Sequence, residues 1–335
     1  MQLLHHWTTR MVLFHDPTND EDRWIWSEGV VDIALKHTFL LHGLLALSAL
    51  HKTVVDSSVD RADLLAQADA HMSAALATYL RLLEEAALET LVPCFVMSSL
   101  CLSYNLATAQ VEEPEDPLGA ILHCFHLLRG VKVVIGQHWE QLQQNHIMHK
   151  LLGPVRSLDG IVLPEDTKCL PLLALKPLAE QLSTPQKEIC LEAIDDLHKI
   201  FVKTTICSSA QQENSVIMTW PAVIQTEFID LCHTGHHVGA LIVVYWAVLL
   251  IRHRPTWWLD GWLPRLIRAC EELFAEAPEL KTWLEWPIEI SNQGSEPPAT
   301  LCSTQTSPMM QTPAESMGIS PSAVADVLTT FYDQS

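Results

Sequence analysis

The sequence predicts an all-α fold: a single large helical domain with buried central helices, followed by a disordered C-terminal tail. Composition is the first observation, because 48% of the 335 residues are hydrophobic and only 12 are glycine. The second is a pair of apolar runs, Phe39–His51 and Val238–Ile251, which contain no proline and no charged residue. A helix that is apolar on all sides must be buried or cross a bilayer. The third is a change of composition at Ser291.

Both apolar runs are shorter than a membrane span. Phe39–His51 has about thirteen residues, whereas a helix needs roughly 20 to cross the hydrocarbon core. We therefore expect no membrane span and interpret the two runs as central helices of a soluble domain, lying beside each other.

The other helices follow from apolar periodicity and from proline- or serine-rich breaks between them. In Val59–Leu83 the apolar residues recur every three or four positions, and Asp60 is placed to cap the first turn. Loops are expected at Glu112–Pro117, Gly153–Pro185 and Ser208–Ser215. The remaining predicted helices are Leu3–Phe14, Leu91–Ala109, Leu118–Ile135, His138–Leu152, Leu172–Leu182, Gln186–Cys207, a helix that begins near Thr219 and ends at Leu231, Gly261–Phe274 and Leu280–Trp286.

The predicted domain covers residues 1–290, and residues 291–335 form a tail rich in Ser, Thr and Pro. Such a tail buries too little apolar surface to offset the entropy lost on ordering. Within it, residues 322–332 carry Val324, Val327, Leu328 and Phe331 at helical spacing. This short helix is either an acidic activation motif that folds on a coactivator or a lid that docks on the domain.

Charge and cysteine usage limit the partners and the compartment. Asp and Glu outnumber Lys and Arg 40 to 20, which gives a net charge of −20. Nucleic-acid affinity depends on neutralising phosphates with basic side chains, so no direct nucleic-acid binding by this chain is expected. The nine cysteines include no C-x-x-C pair, which indicates reduced, mostly buried thiols of an intracellular protein.

Histidines are the candidate metal ligands. A metal site needs several rigidly held ligands, and capping or surface positions are the alternative for a chain with 17 histidines. We predict that no metal and no cofactor is bound. The clustered histidines are His5 with His6, His123 with His126, His146 with His149, and His233 with His236 and His237.

Catalytic motifs are equally weak. Asp195-Asp196 resembles half of an Asp-rich magnesium site, but Leu197, His198 and Lys199 follow it where further carboxylates are needed. A solvated helix face is the alternative. No Gly-x-Ser-x-Gly turn, phosphate-binding glycine loop or dinucleotide fingerprint occurs. We predict that the protein is not an enzyme and has no catalytic residues.

Seven apolar segments occur in an order that resembles a known family. They are LLHHWTT at Leu3–Thr9, HTFLLHGLLALSALH at His37–His51, FHLLRGVKVVI at Phe125–Ile135, TWPAVIQTEFIDL at Thr219–Leu231, ALIVVYWAVLL at Ala240–Leu250, WWLDGW at Trp257–Trp262 and WLEWP at Trp283–Pro287. The chain resembles the C-terminal regulatory (effector) domain of fungal zinc-cluster (Zn2Cys6) transcription factors, in particular the sterol uptake control protein-like group.

The resemblance implies a domain that senses a hydrophobic, sterol-like small molecule and controls transcription, as a homo- or heterodimer with a zinc-cluster regulator. In that family a cluster of six cysteines binds DNA, but this chain has no C-x2-C-x6-C run. Regulation would then act through a DNA-binding partner or a missing zinc-cluster region, with nuclear and/or cytoplasmic localisation. The alternative is a truncated relative that dimerises with full-length regulators and binds no ligand.

A sterol-like ligand would need an apolar pocket with a few polar groups. The candidate lining residues are the apolar and aromatic side chains Phe95, Met97, Met218, Phe228, Tyr245 and Trp246. The alternative is that all six are ordinary core. A closed apolar cavity of roughly 300 Å³ or more would favour ligand sensing, whereas a filled core with an exposed apolar patch would favour an interaction module.

Overall fold

A computed structural model describes residues 1–11, 24–85, 87–136, 142, 144–156, 161–251, 256–293 and 301–304. Helices dominate this part of the chain. In the first half they are α1 (Gln2–Arg10), a π turn (Ile25–Gly29), α2 (Val30–Lys36), α3 (Thr38–Val55), α4 (Arg61–Glu85), a 3-10 turn (Leu88–Thr90), α5 (Leu91–Thr108), α6 (Pro117–Gly136) and α7 (His146–Arg156). In the second half they are α8 (Leu170–Leu173), α9 (Lys176–Glu180), α10 (Gln186–Thr204), α11 (Ala210–Val223), α12 (Thr226–His233), α13 (His237–Leu250), α14 (Trp262–Leu273) and α15 (Glu285–Asn292), with 3-10 turns at Trp257–Leu259 and Pro278–Leu284.

The Phe39–His51 run lies within α3 and is buried along most of its length. Helix α3 packs against α1, α2, α4 and α5. Leu40, Leu44 and Leu47 are fully buried, and each such side chain contributes about 1.5–3 kcal/mol by leaving water. The predicted buried central helix is therefore confirmed.

The second apolar run forms α13, in which every residue is buried. This helix packs against α10, α12, α14 and α15. Helix α3 is not among its main neighbours, so the expectation that the two helices lie beside each other is wrong. An all-round apolar surface requires apolar partners on every side, but it does not select which helices supply them.

Length does not separate these helices from membrane spans. By length and composition two of the described segments, Thr38–Val55 and Leu88–Thr108, are long enough to cross a bilayer, and the bent pair α12 and α13 is a third candidate. The helix that contains Phe39–His51 has 18 residues. The expectation that it is too short to cross a membrane is therefore wrong. Packing inside the protein nevertheless buries 56% of the apolar stretch in Thr38–Val55 and 72% of that in Leu88–Thr108.

Caps explain where two helices begin. The Asp60 carboxylate accepts a hydrogen bond from the Asp63 N–H at 3.2 Å, which confirms the predicted cap of α4. The predicted Ser208–Ser215 loop is wrong, because α11 starts at Ala210. The Ser209 hydroxyl caps it by accepting from the Gln212 N–H at 3.2 Å. The polar composition of this turn reflects its position at a helix start.

A two-stranded antiparallel sheet was not predicted. Strand β1 (Thr167–Lys168) pairs with β2 (Ser303–Thr304), with Thr167 opposite Thr304 and Lys168 opposite Ser303. Residues 301–304 thus bring part of the predicted tail onto the helical domain. The short helix predicted at 322–332, its activation and lid alternatives, and the rest of residues 294–300 and 305–335 lie outside the described residues.

Candidate ligand-binding site

An apolar cleft of about 290 Å³ lies where α5, α6, α7 and α11 meet. Its remaining wall comes from the π turn and from the 3-10 turn Trp257–Leu259. This volume is just below the roughly 300–1,000 Å³ of typical small-molecule sites. Its lining residues are Trp26, Phe95, Ser99, Leu102, Leu128, Leu151, Asn214, Ser215, Met218, Thr219, Ala222, Thr256, Trp258 and Leu259.

A few polar groups interrupt the apolar lining. The Ser99 and Thr219 hydroxyls donate to carbonyls of their own helices, at 3.4 and 2.6 Å. Asn214 also lines the cleft, and its buried Oδ1 accepts no hydrogen bond from the described residues. None of the described lining residues is ionisable at neutral pH, so they supply no acid or base for catalysis. Such a lining suits recognition of a mostly apolar molecule.

Hydrogen bonds fix the 3-10 turn that carries Trp258. The Arg265 guanidinium donates to the Ala109 carbonyl at 2.9 Å and to the Asp260 carbonyl at 2.8 Å. The Gln110 amide also donates to the Asp260 carbonyl, at 2.7 Å. These bonds connect the turn to the end of α5, so these two parts of the lining keep a fixed position relative to each other.

The π turn on the other side is held in the same way. The Trp7 indole N–H donates to the Trp26 carbonyl at 2.8 Å in a buried position. This bond connects α1 to the wall that carries Trp26, which is itself nearly fully buried. The cleft is therefore built on helices and anchored turns, which favours a preformed site.

Two of the six predicted lining residues meet at the cleft, since Phe95 on α5 and Met218 on α11 both line it. Met97 lies instead at the contact between α3 and α5. A Cβ atom added at Gly43 would lie only 2.6 Å from its Sδ. Ligand contact by Phe95 and Met218 stays a prediction.

The three aromatic residues lie in the packed core, outside the cleft lining. Trp246 and Phe228 belong to an aromatic cluster, in which the Phe125 and Trp246 ring centroids are 4.9 Å apart and those of Trp220 and Phe228 5.8 Å apart. The Tyr245 hydroxyl donates to the Trp283 carbonyl at 3.0 Å. Burial raises the pKa of this phenol far above its usual value.

Sequence reasoning missed the polar part of the lining on α11. Asn214, Ser215, Met218, Thr219 and Ala222 share one face because they are spaced by three or four residues. This spacing is visible in the sequence. It was missed because the start of the helix had been assigned to a loop.

A larger cavity of about 550 Å³ borders α1, α3 and α4. Its lining includes the charged residues Lys52, Asp60 and Asp63 together with His71. Enclosing an apolar molecule there would remove these charges from water, which is costly. The smaller cleft is therefore the better match to a hydrophobic ligand.

Histidines contact one another in pairs. The His42 and His71 Nδ1 atoms are 2.8 Å apart, and the His126 and His233 rings stack at 5.5 Å. Within the described ranges, no group of three or more His, Cys, Asp or Glu side chains is arranged to hold a metal ion. His236 instead caps α13, where its Nδ1 accepts from the Gly239 N–H at 3.2 Å.

The paired aspartates of α10 contact lysines. Asp195 lies 2.6 Å from the Lys176 ammonium, and Asp196 lies 2.7 Å from that of Lys199. Both carboxylates are partly exposed. This arrangement matches the solvated face that was the alternative to a magnesium site.

The sequence of this helical chain is similar to that of a gene regulator. No protein-family model matches the sequence. The chain is 21% identical over 309 residues to a Zn(2)-C6 fungal-type transcription factor of Gibberella zeae. The match covers 87% of this chain and 61% of that protein, so the chain spans less than two thirds of its relative. This supports the broader zinc-cluster resemblance, while the sterol uptake control-like group stays a prediction.

Proposed function

We propose that residues 1–290 form the effector domain of a transcription regulator and that the protein has no enzymatic activity. The observation that carries the proposal is the similarity to a fungal zinc-cluster transcription factor over 87% of the chain. The acidic net charge of −20 disfavours direct contact with DNA. Control of transcription would then require a DNA-binding partner or a zinc-cluster region, and the protein would be nuclear and/or cytoplasmic.

The same proposal assigns a hydrophobic, sterol-like ligand to the cleft between α5 and α11. Its volume of about 290 Å³ and its predominantly apolar lining support this assignment. Phe95, Met218 and Trp258 would contact the apolar body, while Asn214 and Thr256 would orient a polar end.

The regulatory mechanism is a shift between two packings of the walls. A ligand shifts such an equilibrium only by its difference in affinity for the two states. Contact with both Trp258 on its turn and Met218 on α11 favours the packing in which these walls approach each other. The surface presented to a homo- or heterodimer partner would change with that packing.

Titration of the purified protein with a fluorescent sterol tests the ligand assignment. Saturable binding at micromolar concentration is expected. Ala222→Phe fills the cleft, because Ala222 lines it, and should abolish binding. Val223→Phe is the matched control, since the adjacent Val223 is 46% exposed and outside the lining.

Two results would count against the ligand assignment. The first is an absence of saturable binding by the unaltered protein. The second is equal binding by the Ala222→Phe and Val223→Phe variants with unchanged melting temperatures. Either result, together with a dimer in solution, would favour the alternative of an interaction module that binds no ligand.

A further inference from the structure

Two cysteines face each other where the two short strands end. Thr167 is opposite Thr304 and Lys168 is opposite Ser303. Continuing this antiparallel register by one residue places Cys169 opposite Cys302. Directly opposed residues in antiparallel strands have Cα atoms about 4.5–5.5 Å apart, which lies within the range of about 4.4–6.8 Å that a disulfide spans.

The thiols are in contact, which agrees with the register. Cys302 is hydrogen-bonded to Cys169 through their side chains, and neither cysteine forms a disulfide bond. Cys169 is fully buried and Cys302 is 5% exposed. Most of the second half of the chain separates these two cysteines, so a bond between them would close a long loop.

The structure around Cys169 is firmly held. The Cys169 backbone N–H donates to the His198 Nε2 of α10 at 3.2 Å. Cys169 also immediately precedes α8. Cys302 comes from a segment of four described residues, 301–304, whose contact with the domain includes β1. The pair therefore joins a fixed helix start to the segment 301–304.

We propose that Cys169 and Cys302 form a reversible disulfide in exchange with a low-molecular-weight disulfide such as oxidised glutathione. The Cys302 thiolate, nearer the surface, attacks one glutathione sulfur, which breaks the glutathione S–S bond and releases one glutathione thiolate. The Cys169 thiolate then attacks Cys302 in the mixed disulfide and releases the second. Two protein thiols are oxidised, one glutathione disulfide is reduced, and the two protons go to the released thiolates.

Burial makes this exchange conditional on opening of the strand pair. It raises the pKa of the Cys169 thiol well above the ordinary value, and contact with Cys302 raises it further. Because only the thiolate attacks, the closed pair reacts slowly. Separation of β2 from β1 exposes the Cys302 thiol, while Cys169 stays covered by the helical domain, and oxidation then holds the two segments together. A transient separation of the two strands thus leads to a covalent link between Cys169 and the segment 301–304.

Peptide mapping of the whole protein tests the proposal. The folded protein is incubated with oxidised glutathione, quenched with acid, alkylated and digested without reductant. A peptide pair linked through Cys169 and Cys302 is expected, with two fewer alkylated cysteines than in the reduced protein. Dithiothreitol should restore both. Absence of this pair, or its replacement by disulfides among other cysteines, would overturn the proposal.

Single substitutions test the order of attack. Cys169→Ser should leave Cys302 as a lasting mixed disulfide with glutathione, whereas Cys302→Ser should leave Cys169 unmodified. Cys124→Ser, a substitution of another buried thiol in α6, should form the linked pair as the unaltered protein does. If Cys302 in the Cys169→Ser variant takes up no glutathione while circular dichroism is unchanged, the assigned order, with Cys302 attacking first, is wrong.

Discussion

His6 and His51 share a hydrogen bond across the contact between α1 and α3, with Nε2 of His6 2.9 Å from Nδ1 of His51. The His51 ring also packs on Trp257, at a centroid distance of 4.9 Å. Burial, followed by repulsion from His6, lowers the pKa of His51 to about 4. Burial also lowers the pKa of His6, which lies near Lys52 and Arg10. The contact is therefore made by neutral imidazoles.

Stability should decrease as the pH falls from about 6.5 toward 4. An unfolded histidine has a pKa of about 6.5, so in this window the unfolded chain binds more protons than the folded one and the free energy of unfolding falls. Between about pH 7.5 and pH 5 the free energy of unfolding should decrease by about 1–2 kcal/mol less in His51→Gln than in the unaltered protein. Urea denaturation at both pH values measures it. The exposed His5→Gln should keep the full loss, and an unchanged loss in His51→Gln would contradict the assignment.

Leu44 and Leu45 should differ sharply although they are neighbours in α3. Leu44 is fully buried, whereas Leu45 is partly buried and borders the charged cavity. Leu44→Ala should destabilise the protein by about 2–5 kcal/mol, as large-to-small changes in cores do, and Leu45→Ala by clearly less. Thermal melts of both variants check this difference. Equal losses would mean that α3 does not bury the face described.

Removal of the Asp60 cap should destabilise α4. Asp60→Ala leaves the Asp63 N–H without its partner at 3.2 Å, and losing such a cap costs roughly 0.5–2 kcal/mol. Glu84→Ala, at an exposed site near the other end of the same helix, is the control and should change stability little. Chemical denaturation gives both values. A wild-type midpoint for Asp60→Ala would show that the cap is not formed in solution.

The effector proposal predicts a ligand-dependent reporter. Residues 1–335 joined to a heterologous DNA-binding domain should change reporter transcription when the sterol supply of the host is altered. Ala222→Phe should remove this response, and Val223→Phe should retain it. A response that both variants keep would separate transcriptional control from the cleft.

Much of the helical framework could be predicted because apolar periodicity and caps are local properties. The starts of α3, α5 and α10 fall within a residue of the predictions, and Asp60 caps α4 as expected. The α11 start was missed because Ser209 and the polar residues after it suit either a loop or a capped first turn. Composition alone does not distinguish the two.

The sequence by itself determined the all-α class, the two apolar runs that form buried helices, and the supply of apolar residues for a ligand site. Only the tertiary structure decided which neighbours surround α3 and α13, and why Phe95 and Met218 line the cleft while Trp246 packs in the core. It also decided that His6 meets His51 and that Cys169 meets Cys302. Hydrophobic burial is non-directional, so a sequence specifies that a side chain leaves water, whereas the partner it meets depends on how distant segments pack.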